Sequence, residues 1–165
     1  MNAASENIRR PEPKGRSTDG CCIYYKVPMP TKAEMNLFLA AEFPQSKVTV
    51  EAVGNASSTV RHQVGVAELR PGGTVSGPVM MTVADVALYV AILGEIGIVP
   101  LTVTTSLNIN FLRKPLASRD ILGVCKLLKL GKTLAVGEVT LYSEGNDEPV
   151  AHAVGTYAIP RPASK

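Results

Sequence analysis

Residues 79–93 read Val-Met-Met-Thr-Val-Ala-Asp-Val-Ala-Leu-Tyr-Val-Ala-Ile-Leu and follow Ser76-Gly77-Pro78. Ser or Gly caps a helix at such a point, and Pro is tolerated in the first turn because its missing N–H would be unpaired anyway. The run predicts a helix from Ser76 to the glycines at 94 and 97. Apolar residues occupy nearly every side of it. A helix that is greasy all round is buried, in a protein or in a membrane. The chain must therefore supply enough surrounding structure to cover it.

The segment after Pro100 supplies strands. Alternating or β-branched stretches lie near 102–112, 121–129, 133–143 and 149–159, joined by Arg113-Lys114-Pro115, Gly131-Lys132 and Gly145-Asn146-Asp147. Short turns between successive strands are how an antiparallel meander is written. Upstream, Thr31 with Glu34 forms a capping-box pattern, so Thr31–Glu42 reads as a short amphipathic helix stopped by Pro44. Val48, Val50 and Ala52 alternate with polar residues, Asn55–Ser58 is turn chemistry, and Thr59–Leu69 returns to a β pattern. The architecture is α+β: one long central helix wrapped by an antiparallel sheet, with a short N-terminal helix. Residues 1–30, rich in Pro and charge, read as a partly flexible arm, and 31–165 as a single domain.

Composition removes several function classes. The 165 residues carry 45% hydrophobic and 19% charged side chains, enough for a packed core. A net charge of +3, no Trp and 5% aromatic residues argue against a nucleic-acid binder. Cys21, Cys22 and Cys125 form no disulfide framework, and Cys125 reads as core. His62 and His152 lack ligand spacing and read as surface or interface residues, so no metal site is expected. The uncharged stretch Ile96–Leu112 is interrupted by Pro100, Thr, Ser and Asn, which is not a membrane span. No secretion signal precedes it, and a reducing cytoplasm is the default compartment.

Asp85 is the only side chain charged at neutral pH between Arg70 and Glu95. Burying a carboxylate costs several kcal/mol unless it is paired or hydrogen-bonded. Two readings stand. Asp85 lies on a solvated stripe or is satisfied by Thr or backbone donors; or it is held in a desolvated cleft, where raised basicity lets it act on water or a carbonyl. The start of the same helix presents unpaired N–H groups able to hold an oxyanion. One helix cannot bring its own start beside its own Asp85, but two antiparallel copies can, so the expectation is a site shared across a two-fold interface.

The blocks Gly72-x-x-x-Ser-Gly-Pro-Val-Met-Met-Thr-Val-Ala-Asp-Val-Ala-Leu-Tyr89, Ser106-Leu-Asn-Ile-Asn-Phe-Leu-Arg-Lys-Pro115 and Gly131-Lys-Thr-Leu-Ala135 resemble the hot-dog-fold acyl-CoA thioesterases. The likeness is to the PaaI-like branch of the 4-hydroxybenzoyl-CoA thioesterase superfamily and covers roughly residues 47–160. It implies hydrolysis of an acyl-CoA thioester to free acid and CoA. Asp85 would be general base or nucleophile, the Gly77 N–H would polarise the carbonyl, and Thr104 would position the attacking water. It also implies a homodimer, or a homotetramer as a dimer of dimers, with coenzyme A entering only as part of the substrate. Where the family has Asn, His and a second Gly before the helix, this chain has Arg70, Ser76 and Pro78.

Arg70 is open to three readings: pairing with Asp85, binding a carboxylate or phosphate of the ligand, or pointing to solvent. Ser76 has no suitably spaced His to activate it and reads as a cap. Between Asn110 and Lys132 six cations face Asp120 alone. This is either ordinary solvation or a platform for the phosphates of coenzyme A, with Lys114, Lys129 and Lys132 as candidates. Met80, Met81 and Tyr89 line an acyl pocket or fill core. The rival to hydrolysis is a non-catalytic acyl-CoA-binding module, and a plain assembly scaffold is the third option.

Overall fold

The computed structural model describes residues 28–160. The expected arm at 1–30 and the Cys21–Cys22 pair fall almost wholly outside them. Helix α1 spans Lys32–Glu42, and Thr31 and Glu34 form the reciprocal capping box. Strands β1 (Val48–Gly54) and β2 (Ser57–His62) follow, then a 3₁₀ turn at Val66–Glu68 and the two-residue strands β3 (Leu69–Arg70) and β4 (Thr74–Val75). Helix α2 spans Gly77–Ile96. Strands β5 (Val103–Phe111), β6 (Ile121–Leu130), β7 (Leu134–Ser143) and β8 (Pro149–Ala158) complete the fold.

Six strands form one antiparallel sheet in the order β1-β2-β6-β7-β8-β5. The meander β6-β7-β8 is as the turns predict. The sheet curls around α2, whose buried residues include Val83, Ala84, Ala87, Leu88, Val90, Ala91, Ile92 and Leu93. Close approach is possible because glycines face the helix. A Cβ at Gly155 would lie 2.5 Å from Leu88 Cδ1, and one at Gly137 2.6 Å from Leu88 Cδ2. By length and composition α2 could cross a membrane, but 67% of its most apolar stretch is buried inside this fold, where it is the core helix.

One expectation is corrected: the strand read over Thr59–Leu69 stops at His62, and the chain turns at Val66–Glu68. Helix α2 ends at Ile96 with Gly97 (φ 84°) as its C-cap, within the expected stop at the glycines 94 and 97.

The two edges of the sheet are treated differently. On β1, Asn36 of α1 accepts from the Val50 N–H (2.8 Å) and donates to the Val50 carbonyl (3.1 Å), occupying edge groups that a further strand would use. Strand β5 forms the opposite edge, and Val103 and Phe111 on it are exposed.

Candidate active site

Val79, Thr82, Asp85, Val86 and Tyr89 recur at helical spacing on one face of α2 and form a wall of a cavity of about 780 Å³. Residues Phe43 and Lys47 between α1 and β1, Thr102–Thr104 at the start of β5, and Tyr157 of β8 line the rest. The Tyr89 and Tyr157 rings stack with centroids 6.2 Å apart, and Phe43 meets Tyr89 edge-on at 6.0 Å. An apolar group entering here is met by aromatic faces.

Asp85 is half-buried in this wall. Its Oδ1 accepts from Thr104 Oγ1 at 2.7 Å and lies 2.6 Å from the Tyr157 hydroxyl. The same hydroxyl is 2.9 Å from the Asp85 carbonyl, so its one proton serves either oxygen. Among the described residues Oδ2 accepts no hydrogen bond. Burial, together with the neighbouring Asp85 charge, pushes the Tyr157 phenol well above its usual range, so it stays a donor. Burial likewise pushes Tyr89 up to about 12, and its hydroxyl donates to the Pro100 carbonyl at 3.2 Å. The carboxylate is thus held by two donors on one oxygen and left open on the other. That arrangement can take a proton from water or attack a carbonyl directly.

Gly77 belongs to a second cavity, of about 470 Å³, lined by Arg70, Thr74, Met80, Phe111, Arg113 and Lys114 among others. As the first residue of α2, its N–H has no partner within the helix. The Phe111 ring covers it: a Cβ at Gly77 would lie 3.3 Å from Phe111 Cζ. Gly77 and Asp85 are eight residues apart, about 12 Å along the axis.

A protein from a Silicibacter species, a candidate thioesterase by its description, is 43% identical to this chain with a TM-score of 0.73. The match covers 83% of this chain and 98% of that one. The family model described as Thioesterase superfamily matches residues 72–150. The chain belongs to the thioesterase superfamily. Zebrafish thioesterase superfamily member 2 is 25% identical (TM-score 0.71; 79% and 99% covered). A mutant of the phenylacetic acid degradation protein PaaI of Thermus thermophilus shares the fold at 22% identity (TM-score 0.62; 75% and 99% covered). A comparison with curated proteins found no match. The fold is the hot-dog fold of these neighbours, and superfamily membership supports thioester hydrolysis as the class of activity.

Within this thioesterase chain, Asp85, Thr104 and Tyr89 meet in one cavity, and Gly77, Arg70, Lys114 and Met80 in the other. Arg70 is exposed and lines the Gly77 cavity, so within one chain it does not pair with Asp85. Ser76 holds the N-cap position with extended backbone, but its side chain makes no capping bond. Met81 is exposed and lines neither cavity. Lys129 and Lys132 sit at the β6–β7 turn, again outside both linings. Cys125 is core, its thiol pushed up to about 12 by burial.

One further expectation is corrected: His62 is not at the surface but buried, and it lines the Asp85 cavity. Sequence reasoning also misses Tyr157. The β5–β8 register sets Thr104 directly opposite Tyr157, which brings both hydroxyls to one carboxylate oxygen. The available signal is a tyrosine in an alternating strand, since a buried Tyr hydroxyl usually finds a partner.

Proposed function

We propose that this protein hydrolyses an acyl-CoA thioester to a free acid and CoA, at a site shared by two copies of the chain. The observation that carries the reading is the clamped carboxylate of Asp85 with its free Oδ2 on an aromatic cavity. Asp85 removes a proton from water as the water attacks the carbonyl, or attacks first and yields an anhydride that water then cleaves. The tetrahedral oxyanion is held by the Gly77 N–H at the start of α2. The thiolate of CoA leaves and takes up a proton. Thr104 and Tyr157 keep the Asp85 side chain oriented.

Separation of the two groups supports the shared site. A base within reach of the attacking water and a donor on the same carbonyl lie only a few ångströms apart, whereas Asp85 and Gly77 of one chain are about 12 Å apart along the helix. A two-fold partner with its α2 antiparallel closes that gap. The exposed β5 edge favours such pairing, and exposed Val124 and Val154 on the sheet favour a dimer of dimers. The Arg70, Arg113 and Lys114 side chains around Gly77 suit the phosphates of CoA. The reaction needs only these side chains and water, and the cytoplasm, where acyl-CoA is made and used, is the expected setting.

The test is thiol release from short, long and aromatic acyl-CoAs. Asp85→Asn should lower kcat by about a hundredfold to ten-thousandfold, the range for loss of a general base or more, while circular dichroism and oligomeric mass stay unchanged. Tight binding of acyl-CoA without thiol release by the wild type would replace hydrolysis with the non-catalytic binding role.

A further inference from the structure

The carboxylate of Glu68 is buried, and the reaction proposed above does not use it. The residue is 6% exposed and lines neither cavity. Its Oε1 accepts from Lys47 Nζ at 2.7 Å, and its Oε2 accepts from the Gly65 N–H at 2.7 Å. Both oxygens are therefore held, one from the lead-in to β1 and the other from the turn that contains Glu68 itself. Gly65 leaves room for the second contact, since a Cβ there would lie 3.1 Å from Oε2. Burying a carboxylate is costly unless it is paired and hydrogen-bonded in this way, and an apolar residue often serves stability as well. The expense calls for a purpose.

The backbone of the same residue supplies one. The Glu68 carbonyl accepts from the Ser76 N–H at 2.9 Å. Between the two lies the β3–β4 hairpin, with two residues in each strand and a turn carrying Gly72 and Gly73 at positive φ. Directly after Ser76 comes the peptide link that bears the Gly77 N–H. Its carbonyl, that of Ser76, accepts from the Met80 N–H at 3.3 Å. One bond thus orients this link from inside α2, and one from outside, through Glu68. A side-chain cap would be the ordinary way to fix such a helix start, but the Ser76 side chain makes no capping bond. The hairpin has one other tie, from Thr74 Oγ1 to the Pro115 carbonyl at 3.1 Å.

We propose that Glu68, pinned by Lys47, is the positioning residue for the Gly77 N–H. Its side chain fixes the turn, its carbonyl fixes Ser76, and the donor to the oxyanion is aimed in consequence. The inference rests on the acyl-CoA reading above. A donor of this kind works because it already points to where charge develops, and a misplacement of about 1 Å can cost about a hundredfold in rate.

The test uses the full chain and thiol release from an acyl-CoA. Glu68→Gln keeps the shape but offers one acceptor oxygen to two donors, so its NH₂ faces Lys47 or the Gly65 N–H. It should lower kcat about tenfold, and Glu68→Ala up to about a hundredfold, with KM within about twofold of wild type. Lys47→Met should lower kcat about threefold to tenfold, and Lys47→Arg should restore most of the loss. Two unreactive CoA analogues separate aim from mere folding: a thioether without a carbonyl, and a trifluoromethyl ketone whose carbonyl carbon becomes tetrahedral on addition. Wild type should prefer the ketone, and Glu68→Gln should weaken the ketone about tenfold while leaving the thioether unchanged. Equal weakening of both makes Glu68 a residue of the fold alone and overturns the proposal. So does a kcat within about twofold of wild type in both Glu68→Gln and Lys47→Met, while hydrolysis by the wild type stands. If the wild type releases no thiol, the hydrolase reading falls and the ketone decides: a preference lost in Glu68→Gln upholds the aim, and a wild type without that preference overturns both.

Discussion

The two cavities beside α2 are built from opposite materials. The one at the helix start is rimmed by Arg70, Arg113 and Lys114, all exposed, around a free backbone N–H. The one at mid-helix is walled by Phe43, Tyr89 and Tyr157 and holds a carboxylate. On the proposed reading each is half of what acyl transfer requires: the first handles anions, the second a base and an apolar chain, and a second copy joins them. The contrast extends to the sheet, whose β5 edge is left unpaired while α1 and Asn36 close the β1 edge.

The sharpest way to break this comparison is complementation. Gly77→Pro removes the helix-start N–H and should cost about a hundredfold or more in kcat, as loss of an oxyanion donor does. Mixed after unfolding and refolding with Asp85→Asn, it should regain activity. Half of a randomly mixed population is heterodimer, and in each heterodimer one of the two shared sites has both Asp85 and Gly77. About a quarter of wild-type activity is therefore expected from two dead proteins. No recovery, with heterodimers shown to form, would place base and donor in one chain.

A smaller effect tests how the mid-helix cavity holds its acid. Tyr157→Phe removes one of two donors on Asp85 Oδ1 and leaves Thr104. Aromatic packing on Tyr89 is kept. A fall in kcat of about tenfold is expected, on the order of one lost charge-assisted hydrogen bond, with KM little changed. A change in KM alone would make Tyr157 part of the acyl wall and not a positioning residue.

How much of this was readable beforehand differs between the halves. The all-apolar run at 79–93 dictates a buried helix, and Asp85 stands out within it because nothing else there is charged. The short turns at Gly131 and Gly145 dictate the meander. What fails is whatever depends on contacts distant in sequence. The Thr59–Leu69 pattern looks continuous, yet Val66 is 90% exposed, so half of that alternation has no core to face. Tyr157 becomes a site residue only through the β5–β8 register, and the burial of His62 at the end of β2, on the cavity that holds Asp85, is likewise set by contacts distant in sequence.

The basic half gives the next smaller effect. Arg70→Ala and Lys114→Ala should each raise KM for acyl-CoA about three- to tenfold at low salt, with kcat nearly constant. The two effects should shrink together as ionic strength rises, because exposed charges are screened. The same substitutions should leave hydrolysis of a short thioester lacking phosphates unchanged. If that simple thioester also suffers, Arg70 or Lys114 acts on the reacting carbonyl and the division of labour between the cavities is wrong.

The smallest effect probes how dry the mid-helix cavity is. Burial lowers the His62 pKa in the folded chain, with Lys47 acting in the same direction and Glu68 and Asp120 pulling the other way. In the unfolded chain the ring titrates near its ordinary value of about 6.5. Below that pH the unfolded state binds a proton that the folded state refuses, so stability falls as pH falls, until the folded-state value is reached. Above about pH 6.5 the full contribution is present. Thermal midpoints of wild type and His62→Leu should therefore run parallel at neutral pH and diverge towards about pH 5, the wild type losing more. Parallel curves throughout would mean that His62 is hydrated in the folded chain. The cavity that holds Asp85 would then be wet like its neighbour, and the contrast between the two halves would reduce to charge alone.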